Sequence, residues 1–396
     1  ALVLTEQSRS LLKGEIDLKL GLIPAISAED VTFQNAAWGS RPELATIKRM
    51  EVQVALLPMI KGDYKFIRLV LLEPDVIVET DRSGKTNFEF DTSGEKGSTL
   101  PVLVFRDARV ENGRFTYKDG KSDNTYSVTL DRLNAVIPGF DKSMQLKFEG
   151  AFQDFPLAFE GTAGPIIAWI EAGHSFPVNL TATSGGVSVR IEGEARDPIN
   201  FKDLSFTVSA EGSSMPEVAN WAGVSNIPDL GAFNLKTKIV DPEGKLALED
   251  LDIRIGTEDL AEISLSGGIK NLLDLHGIQL NFMVQGKDVV NLTKLGLPPP
   301  PIHGKFRLTG RISDPEPKVY AFSDLKAVLG EYGVGGQLDL NLAVQRPYLT
   351  ANLKSQEARW GPFNLAAKLT GLTDRLALEK LDLQIGNEQL AQIKLN

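Results

Sequence analysis

The tripeptide Gly84-Lys85-Thr86 has the composition that closes a phosphate-binding loop, and it is the first place where this chain offers chemistry. Such a loop needs Gly-x-x-x-x-Gly-Lys-Ser/Thr, so that successive backbone N–H groups turn inward on a phosphate. The position of the first glycine is Glu79, whose carboxylate repels phosphate and whose Cβ resists the required backbone. The loop must also lead into a helix, whereas Thr86–Phe90 alternates like a strand. Asp81-Arg82-Ser83-Gly84 therefore reads as a hairpin turn, with glycine supplying a positive φ.

The other chemistry-bearing residues fare no better. His174, His276 and His303 sit in glycine- or proline-flanked turns without ligand-type spacing, which speaks against a metal or acid–base centre. Glu79 and Asp81 lie two apart on one strand face, where carboxylates are ordinarily solvated; glycosidases draw theirs from separate elements. Asp119–Asp123 lacks the calcium-loop spacing and its terminal glutamate. Asn179-Leu-Thr and Asn291-Leu-Thr match glycosylation acceptors, a short motif that carries little by itself. Trp169 and Trp221 read as docking anchors on short helical stripes rather than as ligand cages. The expectation is a protein that is not an enzyme and needs no cofactor or metal.

Composition narrows the class further. A net charge of −10 and a pI of about 5.1 argue against a nucleic-acid partner, which selects a basic face. Hydrophobic residues make up 42% of the 396, enough for a core. The absence of cysteine removes disulfides and thiol chemistry together and suits an oxidising compartment. Apolar runs such as 69–72 and 165–170 fall far short of a spanning helix, and no signal peptide is visible. The chain starts at Ala1 without a methionine, so an N-terminal piece is expected to have been removed.

What must position any functional group is a period-two alternation that runs almost throughout. Ile16/Leu18/Leu20/Leu22, Val52/Val54/Leu56, Met144/Leu146/Phe148, Val187/Val189/Ile191 and Leu204/Phe206/Val208 each alternate with polar neighbours. So do Leu251/Ile253/Ile255, Ile278/Leu280/Phe282/Val284, Phe306/Leu308, Leu338/Leu340/Leu342 and Phe363/Leu365. One greasy and one polar side per run means half-buried antiparallel strands, twenty or more of them. Three segments break the rhythm with a helical stripe: 165–171, 216–223 and 288–296, the last capped by Asp288 and stopped at Gly296. At two turns each, they must lean on the sheet.

The chain also contains a duplication. Residues 231–265 align without a gap on 361–395, with 18 identities in 35 positions, and Gly304-x-Phe306, Phe322–Leu325 and Gly330 keep the skeleton of a weaker copy. Such self-similarity marks repeat architectures, in which each unit contacts mainly its neighbours. The second copy stops one residue after its last leucine, so a longer parent chain is expected.

So many amphipathic strands with no second layer pose a packing problem. A sandwich folds them in two, and a closed barrel of this size leaves a very large lumen. The expected fold is therefore mainly β: one long, twisted antiparallel sheet curled into an open apolar groove, with a few short helices. Residues 1–160 form its N-terminal region and 161–396 the continuous repeat-containing region. An exposed groove of this length exceeds what a monomer tolerates, and a lipid acyl chain matches it in shape and chemistry.

At this point a family resemblance appears. Gly14–Leu20, Pro24–Asn35 and Val52–Gly62 resemble the N-terminal region of AsmA-like proteins. Pro74-Asp-Val-Ile-Val-Glu79 with Asp81, Gly84 and Asn87 is similar to that family's Pro-x-Ile-x-Leu-Glu…Asp-x-x-Gly-x-x-Asn signature. Gly286-Lys-Asp288, Leu295-Gly-Leu-Pro298, Gly304-x-Phe306 and Gly310 resemble its C-terminal repeat. The resemblance implies an envelope protein of bacteria with two membranes, held in the inner membrane by an N-terminal helix and projecting into the periplasm. It also implies kinship with bridge-like lipid-transfer proteins, although the anchor is absent from this sequence.

The expected function is a periplasmic conduit that carries phospholipid or another lipid between the inner and outer membranes, supporting outer-membrane assembly. The expected partners are lipid, the inner membrane and envelope proteins at either end. The groove lining is expected from Val52, Val54, Leu56, Leu204, Phe206, Leu248, Ile278, Leu280, Phe282, Val284, Phe306 and Leu308. The rival reading is a periplasmic scaffold that assists outer-membrane proteins through exposed β edges. A conduit requires an uninterrupted apolar lining; a scaffold tolerates a charge within it.

Overall fold

A computed structural model of the chain describes residues 10–12, 16–19, 21, 23–55, 66–87, 105–169, 171–200, 202–216, 227–296, 298–300, 303–355, 362–372, 376–386 and 393–395. These form twenty-three strands, and the sheet does not close into a barrel. The residues divide into two compact units: 1–185 with 196–200, and 186–195 with 201–396.

The first unit contains β1 (Ser10–Leu12), β2 (Ile16–Lys19), β3 (Ala25–Gln34), β4 (Glu43–Val54) and β5 (Phe66–Glu79). It continues through β6 (Phe105–Lys118), β7 (Thr125–Val136), β8 (Met144–Phe152), β9 (Phe155–Ala163) and β10 (Phe176–Ser184). β1 and β2 lie in succession along one edge of β3, with Leu12 opposite Val31 and Ile16 opposite Ala28. The remaining neighbours in sequence are neighbours in the sheet, and all but one pair is antiparallel. The exception corrects the all-antiparallel expectation: β5 and β6 run parallel, with Leu69 opposite Ala108 and Val78 opposite Tyr117. Residue alternation reports which side a chain presents, not its direction, and a long connection such as 80–104 allows the crossover that a parallel pair needs. The interior of this unit is a band of apolar residues, with Ala28, Val31 and Ile47 in one cluster and Val110, Leu130 and Phe148 in another.

The second unit holds β11 (Val187–Asp197, up to Ala195), β12 (Lys202–Gly212), β13 (Phe233–Val240), β14 (Ala247–Thr257), β15 (Ala261–Asn271), β16 (His276–Gly286) and β17 (Phe306–Glu316). Then come β18 (Val319–Leu329), β19 (Tyr332–Asn341), β20 (Tyr348–Ser355), β21 (Phe363–Thr370), β22 (Ala377–Ile385) and β23 (Ile393–Leu395). From β12 to β23 each strand pairs antiparallel with the next, an unbroken meander. Acidic residues with left-handed backbone, Asp250 (φ 51°) and Asp324 (φ 52°), sit where the register slips and the strand bends. Aspartate tolerates that region better than most side chains.

The duplicated sequence makes a duplicated register. Phe233 faces Ile255 and Ile239 faces Leu248; 130 residues later Phe363 faces Ile385 and Leu369 faces Leu378. The short helical stripes are 3-10 turns rather than two-turn helices at Ile166–Trp169 and Val289–Leu295; the third, over 216–223, falls almost wholly outside the described residues. Asp288 caps the second of these, its carboxylate accepting from Val290 N at 3.0 Å, and Gly296 ends it at φ 80°. No helix among the described residues is long and apolar enough to cross a membrane.

Candidate functional site

Register decides which side chains share a face of the second unit, because every cross-strand partner lies on the same side. Leu280 faces Gly267 on one flank and Ile312 on the other. The row extends through Phe322, Leu338, Ala351 and Ala367 to Leu381. A second row runs Phe233, Ile255, Ile263, Val284, Leu308, Ala327 and Val334. A third joins Ala210, Leu235, Ile253, Leu265, Phe282 and Gly310. Following the paired residues from β12 to β22, this face carries no Asp, Glu, Lys or Arg except at the end of β17, where Asp314, two residues beyond Ile312, lies buried against His276. Its few polar side chains are Thr237, Thr257 and Ser355 within the strands and Asn271 with His276 at one hairpin.

The charges stand on the reverse side. Lys238 pairs with Asp250 at 2.6 Å, Arg311 with Asp324 at 3.5 Å and Lys368 with Glu379 at 3.0 Å. Hydrogen bonding by Asp250 holds the Lys238 ammonium above its usual pKa, and Lys368 holds the Glu379 carboxyl below its own. A depression of about 1280 Å³ is lined by Gln279, Asn281, Arg311, Ser313 and Ser323 of the polar side and also by Leu248, Ile269, Leu280 and Ile312 of the apolar rows. It is open and mixed in character.

Of the residues expected to line a groove, Leu204, Phe206, Leu248, Ile278, Leu280, Phe282, Val284, Phe306 and Leu308 belong to the second unit and share its apolar face. All are half-buried. Val52 and Val54 belong to the first unit, opposite Leu69 and Phe66. Leu56 lies outside the described residues. The first unit has apolar rows of its own: Ala28, Met50, Leu71, Val110, Leu133, Phe148, Phe159 and Ala182 face one another across eight strands. Within that row the Phe148 and Phe159 rings stack at 4.8 Å.

The Gly-Lys-Thr segment is a turn. Asp81 N donates to Lys85 O at 2.9 Å, Thr80 and Thr86 bridge its mouth, and Gly84 has φ 89°. The Asp81 carboxylate accepts from Ser83 and from Lys85 N, which lowers its pKa. Asp119 likewise closes an ordinary turn through Lys121 N and Ser122 Oγ. Trp169 is partly exposed and meets Phe176 edge-on, with centroids 5.4 Å apart; Trp221 lies outside the described residues.

Glu79 overturns the view of it as a solvated carboxylate: it is 3% exposed. Its Oε2 accepts from Ser40 N at 2.8 Å and Asn35 Nδ2 at 3.1 Å, while its own backbone N donates to Asn87 Oδ1 at 2.8 Å. Asn87 Nδ2 donates in turn to Asn35 Oδ1 at 2.9 Å. Burial pushes the Glu79 pKa up, but the donors from Ser40 and Asn35, helped by Lys118, outweigh it and hold the carboxyl below its ordinary value. This knot ties the 35–42 loop and the 81–87 turn to the end of β5. Its only sequence signal was the coincidence of Asn35, Glu79 and Asn87 with the family motifs.

The histidines stay apart from one another. His276 Nδ1 lies 2.7 Å from the buried Asp314, which also accepts from Gly277 N at 2.9 Å and from Ile278 N. His174 and His303 each approach one carboxylate at 3.7 Å. Among the described residues no three His, Cys, Asp or Glu side chains gather in a metal-holding group.

These features define a class: an open, mainly β repeat protein with one apolar face. Among curated proteins the chain is similar to AsmA family protein YhjG of Escherichia coli (strain K12), 21% identical over 238 residues. The match covers 55% of this chain and 34% of the relative, so the chain spans only part of the length of the protein it matches. The similarity supports an AsmA-like family for the chain. No family model matches it, and no solved structure matches it.

Proposed function

We propose that this chain carries lipid acyl chains along its apolar face, as part of a periplasmic conduit between the inner and outer membranes. One observation carries the reading: among the described residues, the paired positions on one face of β12–β22 hold no Asp, Glu, Lys or Arg, the buried Asp314 at the end of β17 apart. A structural sheet with one solvated side has no need of such a run over eleven strands, and among the described residues no second sheet packs on it. Each methylene kept from water is worth roughly 0.8 kcal/mol, so lipid tails cross an aqueous gap only along a surface of this kind. Rows of Leu, Ile, Val and Phe spaced about 4.8 Å apart offer no deep trap, and an open side leaves the headgroup in water. The work is carriage without chemistry: no bond is made or broken, and no cofactor is required. Envelope localisation and an inner-membrane anchor in the full-length protein belong to the same reading, supported by the AsmA-like similarity.

The test is site-specific photo-crosslinking in cells. A photoreactive residue at Phe282 should capture lipid, while one at Asn281, on the polar side, should not. Equal capture at both positions, or capture of protein alone at Phe282, would reject carriage and favour a scaffold.

A further inference from the structure

The hairpins of the second unit alternate between two ends of the strands, and the two ends differ. At one end lie the connections 241–246, 272–275, 317–318, 342–347 and 371–376. The large apolar side chains exposed in this unit concentrate there: Leu273 (78% exposed), Leu275 (55%), Leu376 (68%), Leu342 and Val344. Leu275 is held at φ 48°, in the left-handed region that leucine disfavours, so its presence at an exposed tip has a backbone cost that folding does not explain.

The same rim carries one exposed cation at each of its first four hairpins: Lys245, Lys270, Lys318 and Arg346. None forms an ion pair with the described residues, although Arg346 lies near enough to Glu379 to help lower its pKa; Lys238, Arg311 and Lys368 on the polar face are paired. At the opposite end Lys287 is locked on Asp259 at 2.6 Å. Rim carboxylates are partly engaged: Asp241 accepts from the N–H groups of Asp203 and Leu204, Asp314 from those of Gly277 and Ile278, and Asp274 from Asn271. With Glu243 and Glu316 these carboxylates number five against the four cations, leaving the rim close to neutral.

We infer that this hairpin rim is a bilayer-docking edge, whose leucines enter the interfacial layer while the lysines and the arginine meet lipid phosphates. A zwitterionic bilayer fits best. Its phosphates complement the unpaired cations, its ammonium groups complement Glu243 and Glu316, and its fluid surface accepts isolated apolar tips that form no groove for a peptide or helix. Leu248 and Ile278 border these hairpins on the apolar face, so docking would set the bilayer beside the apolar rows. Docking and carriage are separable: a chain that binds bilayers through this rim need not move lipid.

The chain has no cysteine, so single labels are straightforward. Leu273→Cys and, as the control at the opposite end, Val328→Cys would each carry an environment-sensitive fluorophore and meet phosphatidylcholine vesicles. The tip label should shift to the blue and the control should not. A chain that fails to bind vesicles, or that binds without a shift at the tip, overturns the proposal. So does a tip shift that appears on concentrating the protein without vesicles, which would make the rim a contact between copies. Leu275→Asn should weaken vesicle partitioning by about tenfold while keeping or raising the melting temperature, since asparagine suits the left-handed backbone. Unchanged partitioning by a folded Leu275→Asn protein would equally refute it. Photo-crosslinking at Phe282 is unaffected by either result and reports on carriage alone.

Discussion

Phe282 faces Gly310 across β16 and β17, and its ring fills the space that a side chain at 310 would occupy. A Cβ on Gly310 would stand 2.8 Å from Phe282 Cε1 and 2.7 Å from Leu325 Cδ2. The same arrangement recurs where Phe233 lies over Gly212 and Phe306 over Gly286. An aromatic ring laid over a cross-strand glycine seals the gap that glycine leaves in the sheet. Gly310→Ala should push the ring off its site and cost about 1–3 kcal/mol, measured by urea unfolding. Loss of this order with the m-value unchanged is the expected outcome. Gly333→Ala, where a Cβ meets nothing within 4 Å, should be nearly neutral and serves as the control.

The Glu79 knot should make the first unit sensitive to acid. Because the folded pKa is held below the ordinary glutamate value of about 4.3, the carboxylate's contribution is fully present above that value. It is lost as pH falls from there through the lower folded pKa. Glu79→Gln should therefore be less stable than the parent at neutral pH by about 1–3 kcal/mol, the cost of weakened hydrogen bonds to Ser40 and Asn35. The gap should narrow in acid. Thermal unfolding of both proteins from neutral pH to below 4 checks the sign, and a gap that widens in acid would show that the knot works some other way.

Asp314 gives a comparable test in the second unit. Its carboxylate accepts from two consecutive N–H groups, those of Gly277 and Ile278, at the start of β16. Asp241 does the same for Asp203 and Leu204 at the start of β12. Asp314→Ala removes the acceptor from a buried position and should cost about 2–3 kcal/mol. Asp314→Asn, which keeps one acceptor oxygen, should recover part of that. Hydrogen exchange at Gly277 and Ile278 localises the effect: both amides should lose protection in the alanine variant.

Much of this was legible in the sequence because the signals are local. Ile278, Leu280, Phe282 and Val284 alternate with polar neighbours, and in the structure they share one apolar face. The duplicated segments carry the same apolar positions, and they take the same register, Ile239 on Leu248 and Leu369 on Leu378. Asp288 and Gly296 marked the limits of their helical turn. The failures are the non-local facts. Nothing in residues 66–79 says that β6 will run parallel beside them, since a strand's alternation is the same in either direction. Glu79 looks like half of a solvated pair until Ser40, 39 residues away, closes over it. The apolar stripes at 166–169 and 289–295 fit a helix of either pitch, and with so few residues the tighter 3-10 form satisfies the ends as well.

The decisive functional prediction concerns Leu280, which sits mid-row between Gly267 and Ile312 on the apolar face. Leu280→Arg would place a charge in the middle of that face, away from the buried Asp314 at the end of β17. The fold should survive, because an arginine stem lies along apolar neighbours while its guanidinium reaches out of an open sheet. The sheet opposite residue 280 is also roomy, since Gly267 adds no side chain there. For a passing acyl chain the outcome is different: apolar contact is broken and a hydrated guanidinium stands in the path, at a cost of a few kcal/mol. Lipid capture by a photoreactive residue at Phe282 should then fall several-fold, with circular dichroism and the melting temperature close to the parent's. Asn281→Arg, on the polar side, should leave capture intact. A folded Leu280→Arg protein that captures and moves lipid at the parent's rate would remove the case for carriage along this face.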